Sequence, residues 1–373
     1  MYLSAQRFDL SKLARSNHLR RLASARGVDF SSNDYLGLAG SPRIAGALVQ
    51  ALAAGMTVGS GGSRLLRGNH PEHERLEAEA ACFFGAEAAL FFGSGYAANT
   101  ALFAALPGAD DLVVHDELVH ASAHDGMRLG RAARVGASHN DPDAFADAIR
   151  AWREQGGRGT PWIAVESLYS MDGDRAPLAQ LAEVADRFEA MLLIDEAHAT
   201  GVWGEGGRGF AAMLEGLPNV VTLKTMGKAL GGEGALVCGP AVVRDVLVTR
   251  GRPFIFSTAP SPLMAVAARE GLAILADEPE RRERLHTLID HAQAQLARFG
   301  ITPSESQILP LVIGDDAETM RVASALQAAG FDVRGIRPPT VPSDTSRLRI
   351  SLTLHVGEEE IAALAEALQD ALR

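Results

Sequence analysis

A lysine set in a glycine-rich turn, Thr225-Met226-Gly227-Lys228-Ala229-Leu230-Gly231-Gly232-Glu233-Gly234, is the residue of this chain best suited to covalent chemistry. It follows the apolar run Asn219-Val220-Val221-Thr222-Leu223, so the turn holds it close to backbone and poorly hydrated. A lysine in that setting suits Schiff-base chemistry. A second segment, Met191-Leu192-Leu193-Ile194-Asp195-Glu196-Ala197-His198, reads as a buried strand ending in an acid, with an imidazole three residues later. Together the two segments imply a cofactor.

Pyridoxal phosphate (PLP) is the group that these residue types suit. Lys228 would form the imine with its aldehyde. Asp195, at a strand's carboxyl end, would pair with the pyridine nitrogen and keep it protonated, so that the ring accepts the electrons of a carbanion formed next to the imine. His198 would hydrogen-bond the ring hydroxyl oxygen. The phosphate needs backbone N–H groups at a helix start, and Gly93-Ser94-Gly95-Tyr96 lies between a strand and a helix where they would be supplied. Thr225 adds a hydroxyl. His120, in Asp116-Glu117-Leu118-Val119-His120-Ala121-Ser122, is placed to stack on a ring lying over the sheet's edge.

Other readings of these residues carry less. Asp195-Glu196-Ala197-His198 also resembles the acidic box of nucleic-acid-dependent ATPases, but their phosphate loop ends in Gly-Lys-Ser/Thr, and here Lys228 precedes Ala229. Lys224 rivals Lys228 for the imine, yet its place at the strand end suits a solvated or phosphate-side role. His70, His73, His286 and His291 read as helix-surface or capping residues.

The elements that must position these groups follow from the pattern of the chain. With 373 residues, 47% of them hydrophobic, a large core and an α/β fold of one large and one small domain are expected. Apolar runs over Ala89–Phe92, Asp111–His115, Trp162–Glu166, Met191–Asp195, Val220–Leu223 and Ala235–Cys238 alternate with helical patterns over Glu72–Phe84, Ala97–Leu106, Pro142–Glu154, Pro177–Phe188 and Ala241–Thr249. That alternation predicts a mostly parallel sheet with helices on both faces. A long helical region follows Ser257–Pro262 and runs to about Phe299. Then Ile308–Ile313, a helix over Glu318–Ala329, Phe331–Ile336, Arg347–Leu352 and a last helix Glu358–Leu372 predict a separate α+β layer. The expected division is an N-terminal arm over 1–40, a large domain over 41–273 and a small domain over 274–373.

Composition narrows the function classes. A formal net charge of −11 disfavours nucleic acid and anionic membrane as partners. No run of about 18 apolar residues is present to cross a bilayer, and Met1–Arg21 lacks the apolar stretch of a signal peptide, so a cytoplasmic location is expected. Cys82 and Cys238 lack metal-ligand spacing and read as core or near-core thiols, and no metal site is expected.

The chain resembles the class II PLP-dependent aminotransferase family, within its α-oxoamine synthase branch. The likeness rests on the lysine turn and on four further blocks: Phe30-Ser31-Ser32-Asn33-Asp34-Tyr35-Leu36-Gly37-Leu38, Gly59-Ser60-Gly61-Gly62-Ser63-Arg64, Ser170-Met171-Asp172-Gly173-Asp174 and Arg347-Leu348-Arg349-Ile350-Ser351-Leu352. The stretch Ile336-Arg337-Pro338-Pro339-Thr340-Val341-Pro342 is most similar to the members that serve biotin synthesis. The resemblance implies a fold-type I homodimer that condenses L-alanine with a pimeloyl thioester, carried by coenzyme A or by an acyl carrier protein, with loss of carbon dioxide and thiol. It implies that Lys228 holds PLP, Asp195 meets the pyridine nitrogen, and His198 with Ser170 contacts the ring oxygen. His120 stacks on the ring, Ser94, Gly95, Tyr96 and Thr225 bind phosphate, and Ser257 and Thr258 reach the phosphate of the neighbouring subunit. Arg349 would hold the amino-acid carboxylate with its paired donors, and Arg21, Asn33 and Thr340 join it as substrate contacts. Between Arg20-Arg21 and Phe30 the chain is shorter than the family's arm, where relatives carry a strand. Glycine-using synthases and a catalytically silent partner subunit share the fold, and Lys228 argues against the second.

Overall fold

In the computed structural model, which describes residues 2–15, 18–20, 22, 24–301, 304 and 306–373, the apolar runs become a seven-stranded sheet. In spatial order its strands are Ala88–Phe92, Ala235–Gly239, Val220–Thr225, Met191–Asp195, Pro161–Glu166, Leu112–Asp116 and Ala133–Ala137. Neighbours run parallel except Ala235–Gly239, which is antiparallel to both strands beside it. Successive side chains leave opposite faces of a strand, and the packing follows that rule. Val113, Leu193 and Val221 enter a core shared with helices Gly95–Ala105, Ala121–Leu129 and Ala241–Arg250, while Val114, Leu192 and Val220 enter one shared with Pro142–Glu154 and Leu178–Phe188.

Helices Pro42–Ala53 and Arg252–Ile255 were not expected from the sequence, and neither were a strand and a helix closer to the site. Ala133–Ala137 is an edge strand with four of its five residues exposed, so it carries no apolar run to betray it. Helix Ala121–Leu129 contains Gly126, which breaks its helical signal. A Cβ there would lie 2.9 Å from both the Asn99 carbonyl oxygen and Phe103 Cβ, so the glycine lets the two helices approach.

The C-terminal layer is a three-stranded antiparallel sheet, Arg334–Ile336, Ser346–Ser351 and Ile308–Gly314, covered by helices Asp316–Ala328 and Glu358–Ala371. The single strand expected over Phe331–Ile336 divides: Phe331–Asp332 pairs in parallel with Val28–Asp29, and only Arg334–Ile336 joins the sheet. The short arm therefore does carry a strand, and its next residues are stitched to the same layer. Ser351 N–H donates to the Phe30 carbonyl at 2.9 Å and Leu354 N–H to that of Tyr35 at 3.0 Å. The long helical region is two helices, Pro262–Asp277 and Glu280–Leu296, broken at Glu278-Pro279. The expected boundary after residue 273 falls inside the first of them. No described helix is long and apolar enough to cross a membrane.

One feature of the large sheet sets up everything below. Asp116, Glu166, Asp195 and Thr225 are the last residues of four adjacent parallel strands. The loops that follow carry His120, Ser170, His198 and Lys228. Ligands of open α/β sheets sit at this carboxyl edge.

Candidate active site

Asp195 is held from two sides. The Ala197 N–H donates to Oδ1 at 2.9 Å, and Asn99 Nδ2 donates to Oδ2 at 2.7 Å. Asn99 also donates to Ser122 Oγ at 3.0 Å, and that hydroxyl meets His120 Nδ1 at 2.8 Å. His120 is the N-cap of Ala121–Leu129 and accepts from the Ser122 N–H at 3.3 Å. With Nδ1 accepting, the proton of the neutral ring belongs on Nε2. Burial lowers the His120 pKa and Lys228 lowers it further, while Asp195 opposes them.

His198 is buried, with Nδ1 2.6 Å from the Tyr35 hydroxyl and its carbonyl accepting from Gln307 Nε2 at 2.7 Å. Burial pushes its pKa well below the usual histidine range, helped by the charges of Lys228, Arg349 and His120. Lys228 is pulled down by burial and by Arg349, against the upward pull of Asp195 and Glu166. These mutual effects define one cluster of Lys228, Asp195, His120, His198, Glu166 and Arg349.

Arg349 completes the cluster from the C-terminal layer. It is 7% exposed, and its Nε donates to the Ser170 carbonyl at 2.6 Å, Nη1 to Ser351 Oγ at 2.7 Å and Nη2 to Asn33 Oδ1 at 3.1 Å. Among the described residues no carboxylate pairs with it. Its neighbour on the same strand face, Arg347, is spent on Asp172 and on the Thr345 carbonyl. A buried guanidinium held only by neutral acceptors is costly by itself and favours an anionic partner. The two arginines, which share one face of the strand, are separated by their partners.

Three of the expected phosphate residues, Ser94, Gly95 and Tyr96, lie at one helix start. Ser94 is the N-cap of Gly95–Ala105 and accepts from the Ala97 N–H at 3.1 Å. Among the described residues the Gly95 and Tyr96 N–H groups have no acceptor, and the helix dipole points the same way. The Tyr96 hydroxyl donates to Asp125. Thr225 is buried, and its hydroxyl accepts from the Gly227 N–H at 3.3 Å within the lysine turn.

Other expected residues are not brought into the cluster. Ser257 and Thr258 are exposed, and Ser257 Oγ reaches only the Thr258 carbonyl. Thr340 is exposed and accepts from Arg20 at 3.2 Å, and Arg21 lies outside the described residues. Lys224 is neither solvated nor near phosphate. It is fully buried, with Nζ 2.8 Å from Glu196, 2.9 Å from Glu215 and 3.0 Å from the Arg208 carbonyl. His73 is a capping residue as expected but fully buried, and Cys82 is exposed where a core thiol was expected.

Tyr35, Asn99 and Glu166 were missed as individual site residues. Asn99 left a trace, as a polar residue in the otherwise apolar helix Gly95–Ala105. Glu166 left none. It is buried beside Asp195 in strand register, and its Oε1 has no hydrogen-bond partner. Burial raises its pKa well above the carboxylate range, with Asp195 adding to the effect.

A strand-end carboxylate, a partly desolvated lysine one loop away, an open helix N-terminus and a buried guanidinium define the class of a PLP-type site on an α/β sheet. The family described as aminotransferase class I and II matches residues 25–368, and the chain belongs to it. It is 45% identical over 350 residues to the 8-amino-7-oxononanoate synthase of Anaeromyxobacter dehalogenans, covering 92% of this chain and 87% of that one. Among solved structures it is similar to a serine palmitoyltransferase variant from S. paucimobilis with a bound PLP–myriocin aldimine, at TM-score 0.89 and 26% identity, covering 99% and 97% of the two chains. It is also similar to the 8-amino-7-oxononanoate synthase of Francisella tularensis, at TM-score 0.78 and 26% identity, covering 93% and 98%. The residues fit PLP on this chain's own evidence: the free N–H groups at Gly95 and Tyr96 suit its phosphate, and the unpaired Arg349 suits the carboxylate of an amino acid joined to it.

Proposed function

We propose that the chain is a PLP-dependent acyltransferase that condenses L-alanine with a pimeloyl thioester, releasing carbon dioxide and free thiol and forming 8-amino-7-oxononanoate for biotin synthesis. The unpaired, buried Arg349 beside Lys228 is the observation that carries an amino-acid substrate. The acyl partner is read from the 45% identity to a synthase of that name. The higher TM-score to the serine palmitoyltransferase concerns backbone placement, and the 45% overall identity weighs more for specificity.

PLP, when bound, supplies a ring that accepts the electron pair left on the amino acid's α-carbon. Lys228 would hold PLP at its aldehyde carbon until the amino acid's own nitrogen took its place, and a pKa lowered by burial would favour the freed, neutral amine that takes the α-proton. Asp195, oriented by Asn99 and Ala197, is the carboxylate for the ring nitrogen. His120, fixed by Ser122, covers one face, and neutral His198 donates or accepts at the ring oxygen without adding charge. Arg349 and Asn33 hold the amino-acid carboxylate until it is lost. The raised pKa of Glu166 disfavours a second carboxylate charge directly beside Asp195. Ser257 and Thr258, exposed in one chain, serve a partner subunit's phosphate in the proposed homodimer, and Thr340 is assigned to the substrate.

The deciding assay presents alanine, glycine and serine in turn with pimeloyl, acetyl, succinyl and palmitoyl thioesters, on coenzyme A and on acyl carrier protein. Thiol release and product mass are read. Turnover confined to alanine and pimeloyl is expected, and a preference for glycine or serine would overturn the substrate assignment.

A further inference from the structure

Five of the seven buried side-chain atoms left without hydrogen-bond partners among the described residues lie in one region: Asn140 Oδ1, Glu166 Oε1, Ser167 Oγ, the Tyr169 hydroxyl and Asp174 Oδ1. At its centre stands His139, a residue with no part in the chemistry above. Its Nδ1 is 2.9 Å from Asp116 Oδ1, its Nε2 is 2.7 Å from Asp174 Oδ2, and its ring edge meets Tyr169 with centroids 4.5 Å apart. Asp116 is fully buried and also accepts from the Leu118 and Asn140 N–H groups, both at 2.8 Å. Burial alone would lower the His139 pKa, but the two carboxylates outweigh it and raise it to about 10. The ring is therefore a cation bonded on both nitrogens, and it bridges the end of strand Leu112–Asp116 to Asp174.

Asp174 closes a tight loop. Its carbonyl accepts from the Tyr169 N–H at 3.0 Å, and the Gly173 N–H donates back to Tyr169 at 2.9 Å. Gly173 has φ +70°, and a Cβ there would lie 2.3 Å from the Ile308 carbonyl oxygen. The loop thus lies against the C-terminal layer with no room to spare. Two side chains of that layer grip it: Arg347 pairs with Asp172, and Arg349 Nε donates to the Ser170 carbonyl at 2.6 Å. Polar contacts therefore run from Asp116 through His139 and Asp174 to the Tyr169 backbone, and the next residue of the chain, Ser170, carries the carbonyl that orients the Arg349 guanidinium.

We propose that His139 is a positioning residue that, by clamping the loop 169–174, fixes the aim of Arg349 and so sets the affinity for the amino-acid carboxylate. The proposal rests on the reading of Arg349 given above. His139 touches no residue of the Lys228 cluster, so its loss leaves the cofactor's surroundings in place.

The test is a double-mutant cycle on the PLP-loaded enzyme. His139→Gln keeps hydrogen-bonding atoms but loses the cation. It is expected to raise the alanine KM about tenfold, the effect of weakening one or two charge-assisted bonds, with kcat within about threefold and the cofactor absorption unchanged. Coupled sites are non-additive, so adding His139→Gln to Arg349→Lys should cost little more than Arg349→Lys alone. Asp174→Asn removes the half-exposed arm of the clamp and should act in the same direction, and it decides the matter if His139→Gln does not fold. An alanine KM within twofold of the parent in the folded variant, or losses that simply add, would overturn the clamp. A normal alanine KM in Arg349→Lys would instead refute the function of Arg349 itself, and the clamp with it.

Discussion

At the scale of residues, partners decide roles that residue type leaves open. Lys224 and Lys228 lie one turn apart in the chain, yet one is locked between Glu196 and Glu215 and the other faces Asp195 across a partly open site. Borohydride reduction of the yellow PLP-loaded protein should therefore label the peptide at Lys228 alone, and Lys228→Ala should fold normally but lose turnover. A label on Lys224 would contradict both the geometry and the assignment. Asp195→Asn keeps its shape and its bond to Ala197 but loses the charge offered to the ring, and a rate loss of roughly 10² or more is expected. A rate within a few-fold of the parent would reduce Asp195 to a strand-end cap. Arg349→Lys should weaken alanine binding, followed by the absorbance change on titration, while Arg347→Lys should disturb the Asp172 loop first. Asp195 could be read as a candidate because it ends an apolar run, and Lys228 and His198 because they lie in the turns that follow such runs. Glu166 ends an apolar run too and Asn99 is a polar residue in an apolar helix, but what brings each to Asp195 is a contact from another strand or helix, invisible in local spacing.

At the scale of elements, the buried strands could be read because each is an unbroken apolar run. The edge strand Ala133–Ala137 and the helix Ala121–Leu129 could not, one for lack of apolar residues and the other for its Gly126. The join between Glu196, Glu215 and Lys224 also belongs to this scale, since it ties strand Val220–Thr225 to the loops before it. Lys224→Met would leave two buried carboxylates unpaired, and a stability loss of about 3–5 kcal/mol is expected from denaturant unfolding. A loss under 1 kcal/mol would show that the glutamates simply take up protons. Helix Pro71–Phe84 provides a pH test. His73 takes the His70 N–H at Nδ1 and meets the Pro260 carbonyl at 2.9 Å with Nε2, a pattern that needs the neutral ring. Burial, then Arg64, lowers its pKa to about 4. An unfolded histidine titrates near 6.5, so this stabilisation is intact above that pH and fades as pH falls toward 4. Replacing His73 by Gln should flatten the stability profile across that window by roughly 1–3 kcal/mol. An unchanged slope would place the acid sensitivity elsewhere.

At the scale of the whole molecule, the exposed Ser257 and Thr258 sit beside Phe256, 71% exposed, and not far in the chain from other uncovered apolar residues. Sedimentation should find the proposed dimer, and Ser257→Ala with Thr258→Ala should weaken PLP binding several-fold without altering Lys228 reactivity. Cofactor affinity equal to the parent's would remove both residues from the site. A last consequence comes from where the site's two charged ends originate. Lys228 follows a strand of the large sheet, whereas Arg349 belongs to the C-terminal layer, and contacts such as Arg349 to Ser170 and Tyr35 to His198 cross from one part of the site to the other. On the proposed reading, an amino acid held by nitrogen at one end and carboxylate at the other is a strap across a seam. Alanine should then protect the seam from proteolysis and raise the melting temperature with concentration as RT ln(1 + [L]/Kd), while ethylamine, which can grip one side only, should do neither.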